Sequence, residues 1–127
     1  MPIITLGEIG RLRAISGFSG SIEKVLINGS QVYPNGGSIE LEPGKTMTIK
    51  VTFTVTPSGD IAWNDVWTVG VTAKMGNQFG WDPTAAKGSN PKKDTIEIGN
   101  LKSPTKDSTL TIKLYAIDAT NPDAPSG

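Results

Sequence analysis

Lys45-Thr46-Met47-Thr48-Ile49-Lys50-Val51-Thr52-Phe53-Thr54-Val55-Thr56-Pro57 alternates polar and apolar residues along its whole length. Side chains of an extended chain point to opposite faces with period two. Met47, Ile49, Val51, Phe53 and Val55 therefore share one face, and a file of threonines and Lys50 covers the other. Such a segment is a long antiparallel strand with one dry and one wet side.

Working outward, the same pattern recurs. From Val66 to Met75, Trp67, Val69, Val71, Ala73 and Met75 oppose Thr68, Gly70, Thr72 and Lys74. Near the C-terminus, Leu110, Ile112, Leu114 and Ala116 oppose Thr109, Thr111, Lys113 and Tyr115. These three strands are expected to supply most of the core. Val25-Leu26-Ile27, Asn28-Gly29, Ser30-Gln31-Val32 reads as a hairpin, since Asn-Gly suits a type I′ turn. Ser38 to Glu42 places Ile39 and Leu41 inward, and Pro43-Gly44 turns the chain into the long strand. Thr95 to Leu101 carries Ile96 and Ile98 on one face. Ile3 to Leu6 and Leu12 to Phe18 look like edge strands.

Ser58 to Asp65 and Gly76 to Asp94 read as irregular, the second because Asp82-Pro83, Gly88-Ser89-Asn90-Pro91 and Lys92-Lys93 interrupt it. Seven to nine short strands with turn signals between them predict an all-β sandwich or barrel. Residues 1–119 are expected to form a single domain, and 120–127, rich in Pro, Asp and Ser, a tail or linker.

The 127 residues are enough to bury a core without metals or disulfides. Cysteine and histidine are both absent, which removes Cys/His zinc sites and Ser-His-Asp or Cys-His catalysis within the chain. Twelve basic residues balance twelve acidic ones, so there is no basic footprint for nucleic acid. No segment has the 18 or so apolar residues of a membrane helix. Met1 to Gly10 lacks the basic and apolar regions of a secretory signal.

The run Leu41-Glu42-Pro43-Gly44-Lys45-Thr46-Met47-Thr48-Ile49-Lys50-Val51, followed by a strand carrying Trp67, resembles the B and C strands of immunoglobulin-like modules. That group includes fibronectin type III-like and bacterial or viral surface domains. The resemblance spans residues 39–117. It implies an immunoglobulin-like antiparallel sandwich and makes Tyr115 the counterpart of the tyrosine on strand F. The disulfide of antibody domains is absent, and shared architecture carries no activity with it.

The candidate sites are few. Glu40 and Glu42 form a carboxylate pair, but an exposed charge at a sheet edge more simply discourages strand-to-strand aggregation. Asp60, Asn64, Asp65 and Asp82 offer oxygen ligands for calcium, without the spacing of a calcium loop; loop Asp and Asn more often cap turns with their own side chains. Lys87, Lys92 and Lys93 make the second irregular region mildly basic. Asn28-Gly29-Ser30 fits a glycosylation acceptor and also fits the hairpin turn.

Aromatics are only 6% of the chain, so Trp63, Trp67, Phe79 and Trp81 stand out. Trp67 belongs to the apolar face. Trp63, Phe79 and Trp81 are the candidate binding residues, as a stacking platform or protein anchors; the plainer alternative is a small satellite core. Trp63 and Trp81 are expected in loops at opposite ends of the Trp67 strand.

These features predict a non-enzymatic structural or interaction module without cofactors, engaging protein partners or itself. A virion or extracellular surface suits its threonine-rich faces and the lack of a signal. The other reading is a carbohydrate-binding or accessory module of a larger secreted protein.

Overall fold

The computed structural model describes residues 2–11, 17–57, 62 and 64–117. Nine strands account for most of them: β1 (Ile3–Arg11), β2 (Phe18–Ile27), β3 (Ser30–Tyr33), β4 (Ser38–Glu40), β5 (Thr46–Pro57), β6 (Val66–Met75), β7 (Gln78–Lys87), β8 (Lys92–Lys102) and β9 (Ser108–Ile117). They form a five-stranded sheet, ordered β4-β1-β9-β6-β7, and a four-stranded sheet, ordered β3-β2-β5-β8. The chain is a two-sheet all-β sandwich.

The core follows from the alternation. Met47, Ile49, Val51, Phe53 and Val55 of β5 are fully buried, while Thr46 and Lys50 on the other face are exposed. Opposite them lie Trp67, Val69, Val71 and Ala73 of β6 and Leu110, Ile112 and Leu114 of β9, also buried. Trp67 stacks at a tilt on Phe18, with ring centroids 4.9 Å apart. Its indole N–H donates to the Gly88 carbonyl at 3.0 Å, which satisfies the one polar atom this large side chain brings inside.

The β2–β3 hairpin forms as its turn chemistry demands. Asn28 and Gly29 both have positive φ, 50° and 84°, as a type I′ turn requires. The Asn28 side-chain oxygen accepts the Thr48 N–H at 2.8 Å, tying the turn to β5.

Four expectations change. Gly76 to Asp94 is not an irregular loop. Gly76, at φ 61°, and Asn77 make a tight turn, after which β7 runs antiparallel to β6 from Met75–Gln78 to Val66–Lys87. Asp82-Pro83 does not break β7 because β7 is an edge strand, where a missing N–H is tolerated. Next, Ile3 to Leu6 does not form an edge: β1 sits between β4 and β9. Of Leu12 to Phe18, residues 12–16 lie outside the described residues, and Phe18 opens β2. Third, the sheets are not wholly antiparallel, since β1 runs parallel to β9. Fourth, the polar face of β6 is not wet: Thr68, Gly70 and Thr72 are buried along with their apolar neighbours.

Side chains fasten the sheets to each other. Gln78 of β7 donates to the Lys102 carbonyl at 2.9 Å and accepts the Lys102 N–H at 2.7 Å. Asn100 donates to the Phe79 carbonyl at 3.0 Å. Buried Ser103 holds the Pro43-Gly44 turn against the end of β8: its hydroxyl donates to the Glu42 carbonyl and accepts the Lys45 N–H at 2.9 Å.

Candidate functional site

Cross-strand register decides which side chains share the outer face of the five-stranded sheet. Gly70 pairs with Pro83 and Tyr115, Thr72 with Trp81 and Lys113, and Lys74 with Phe79 and Thr111. Thr68 pairs with Ala85 and Ile117, and Val66 with Lys87. Paired residues lie on one side of a sheet. Val66, Ile117, Ala85, Pro83, Tyr115, Trp81 and Phe79 therefore form a continuous apolar strip across β6, β7 and β9.

Gly70 is the centre of the strip. A Cβ there would lie 2.6 Å from the Tyr115 hydroxyl and 2.5 Å from the Asp82 carbonyl oxygen, so only glycine lets the tyrosine lie flat across β6. Trp81 packs beside it, with ring centroids 6.5 Å apart. The two aromatics, in register with Gly70 and Thr72, account for the burial of those two residues on a face that alternation marks as wet; buried Thr68 lies between Ala85 and Ile117. The Tyr115 hydroxyl is buried and has no hydrogen-bond partner among the described residues. Burial first, and the Asp82 carboxylate second, push its pKa above the ordinary tyrosine range.

The strip is not wholly covered. Trp81 and Phe79 are half-buried, and Val66 and Ile117 are 36% and 40% exposed. The charged side chains of these three strands on this face are Lys74, Lys87 and Lys113, with no acidic one among them.

The four-stranded sheet presents the opposite chemistry. On its outer face the Thr52 and Thr95 hydroxyls meet at 2.8 Å, Thr54 donates to Glu23, and Lys93 pairs with Glu23 at 3.4 Å. The Thr54 hydroxyl chiefly, and Lys93 after it, hold the Glu23 carboxyl below its ordinary pKa. Lys102 donates to Thr46 at 3.0 Å. This is a polar face, several of whose side chains bind one another.

Of the candidate binding residues, the structure brings Phe79 and Trp81 together, two apart on β7 rather than in a loop. Trp63 lies outside the described residues, as does Asp60. The calcium candidates are not assembled. Asn64 and Asp65 immediately precede β6, whereas Asp82 pairs with Val71, five residues up the strand from Val66. That is roughly 17 Å at strand rise. Among the described residues no group of three or more acidic side chains could hold a metal ion. Glu40 and Glu42 are exposed at the short β4 edge. Lys92 pairs with Asp94 at 3.6 Å. Asn28 and Gly29 are the hairpin turn itself.

Sequence reasoning missed Tyr115, Pro83, Val66 and Ile117 as members of one surface. The available signal was the spacing of aromatics in β7, hidden by the glycines and the proline that made the segment read as a loop. Comparison with protein-family models, curated proteins and solved structures finds no match to this chain.

Proposed function

We propose that this chain is a non-enzymatic interaction module that docks on protein, a neighbouring subunit or a further copy of itself, through the outer face of its five-stranded sheet. The observation that carries the reading is the exposed apolar strip from Val66 and Ile117 to Trp81 and Phe79, bordered by lysines. Large apolar side chains gathered on one side of a folded protein mark a binding surface more often than single exposed ones do. Protein interfaces combine an aromatic centre with a polar rim. A rim of Lys74 and Lys113 favours a partner whose apolar patch is bordered by acidic groups.

Sugar binding is less well supported. A sugar site needs free polar groups beside its stacking ring. Here the Thr68 and Thr72 side chains and the Tyr115 hydroxyl are buried.

The architecture we favour for this module is immunoglobulin-like. Adjacency of β2, β5 and β8 in one sheet, and of β9, β6 and β7 in the other, supports reading them as strands A, B, E and F, C, C′. On that assignment the B-strand run falls on β5, Trp67 on C and Tyr115 on F. Two features depart from the family. β1 occupies the place beside F that the last strand fills in immunoglobulin domains, and the Tyr115 hydroxyl lacks the backbone bond of the tyrosine corner. A virion or extracellular surface remains our proposed setting, on the strength of the threonine-rich polar face.

Sedimentation equilibrium tests the docking face. Self-association is expected in the wild type, and Trp81→Ala is expected to weaken it by at least about 1 kcal/mol, as an interface anchor does. Tryptophan fluorescence quenched by a soluble oligosaccharide, with quenching lost in Trp81→Ala, would replace this reading with the sugar-binding one.

A further inference from the structure

Among the described residues, the first strand is held by the last. β1 runs parallel to β9 from Ile4–Ser108 to Leu6–Leu110, shifts register, and continues from Ile9–Ile112 to Arg11–Leu114. On its other side it pairs with β4 through Ile3–Glu40, Ile4–Ile39 and Thr5–Ser38. Its sequence neighbour β2 belongs to the other sheet. β4, three residues long, joins the five-stranded sheet through β1. Without β1, β9 would become an edge, β4 would lose its ladder, and the core position of Ile4, 1% exposed, would open.

The segments that grip β1 lie far from it in sequence. Asp107 accepts the Ile3 N–H at 2.9 Å, Gly37 accepts the Leu6 N–H at 2.7 Å, and the Pro2 carbonyl accepts the Leu41 N–H at 3.2 Å. Each of these bonds, and the whole β1–β9 ladder, would be the same if β1 came from another molecule. Residues 12–17 connect β1 to its own β2. Six residues reach up to roughly 20 Å, about twice the spacing of two packed sheets.

We propose that β1 exchanges between copies of this chain, the slot between β4 and β9 of one molecule taking the β1 of another. Such an exchange makes no new contact within the slot and gives up only the advantage of the strand's own tether. A short tether acts like a local concentration in the millimolar range. Exchange therefore takes over where molecules fold or assemble side by side at comparable concentration. The proposal is independent of the docking face, because no residue of the apolar strip is a register partner of β1 in either ladder.

The absence of cysteine makes the test direct. Thr5 and Thr109 are exposed and are register partners across β1 and β9. Neighbouring strands lie within the span a disulfide bridges. The double variant Thr5→Cys/Thr109→Cys should close an intrachain disulfide and so verify the register. A tagged full-length chain with Thr5→Cys is then refolded at about 1 mM with an untagged chain carrying Thr109→Cys, a concentration matched to the tether, and oxidised. Mixed disulfide dimers should exceed by at least tenfold those from Thr5→Cys with Ser21→Cys, which sits on the outer face of the other sheet. Adding Trp81→Ala to both chains should leave that yield unchanged. Mixed dimers no more abundant than in the control pair would overturn the proposal. So would failure of the double variant to close, because the slot would then not have the register described.

Discussion

Two aromatic residues show how much of this molecule turns on single atoms. Trp67 is buried with its N–H satisfied by Gly88, whereas Tyr115 is buried with its hydroxyl unpaired among the described residues. A buried donor left without a partner costs about 1–3 kcal/mol, and removing it recovers part of that. Tyr115→Phe is therefore expected to be at least as stable as the wild type in urea denaturation. The same residue sets an alkaline limit. Its pKa is raised in the folded state, so its contribution is complete below the unfolded tyrosine value of about 10 and declines as pH rises from there toward the folded value. Between pH 9 and roughly 11, around that unfolded value, wild-type stability should fall more steeply than that of Tyr115→Phe. Equal slopes would mean that the phenol ionises as easily in the folded chain as in the unfolded one. Gly70→Ala tests the close approach beneath the ring: overpacking of this kind costs typically about 1–3 kcal/mol, and thermal denaturation would read it.

Elements matter through their faces and their fastenings. On β5, Val51→Ala or Phe53→Ala should cost roughly 2–5 kcal/mol. Thr52→Ala, which removes the exposed bond to Thr95, should cost about 1 kcal/mol or less. Equal sensitivity of the two faces to denaturant would contradict the alternation from which the fold is read. The β4–β5 turn depends on a residue outside any strand. Ser103→Ala would leave the Glu42 carbonyl and the Lys45 N–H without their side-chain partner, at a cost of about 1–3 kcal/mol. Amide exchange should then quicken at Lys45 before it does in the centre of β5. Uniform loss of protection along β5 would show that Ser103 supports the whole sandwich and not the turn alone.

At the scale of the molecule, the two sheets share one core, from Ile4 of β1 to Leu114 of β9. A shared core of this size unfolds as a unit, so calorimetric and van't Hoff enthalpies should agree. Two separate transitions would show that the sheets are stable apart. The outer faces of those sheets divide the labour. One carries hydroxyl contacts and an ion pair between its own side chains, while the other keeps aromatic surface part-exposed beside lysines, and the second is the face proposed to dock.

Local alternation and turn chemistry by themselves determined the strands β5, β6 and β9, the β2–β3 hairpin and the inward face of each, because a period of two needs no distant partner to be recognised. Only the tertiary structure decided that Gly76 to Asp94 holds a strand, since an edge position, invisible in sequence, is what makes Asp82-Pro83 tolerable. Likewise only packing could show that Thr68, Gly70 and Thr72 are covered. Beside Gly70 lies Tyr115, 45 residues away along the chain, and beside Thr72 lies Trp81 on the neighbouring strand, while Thr68 sits between Ala85 and Ile117. The place of β1 was equally illegible. Its alternation suits any sheet position, and the choice of an interior slot beside β9 rests on hydrogen bonds to Asp107 and Gly37 that exist only once the chain has closed on itself.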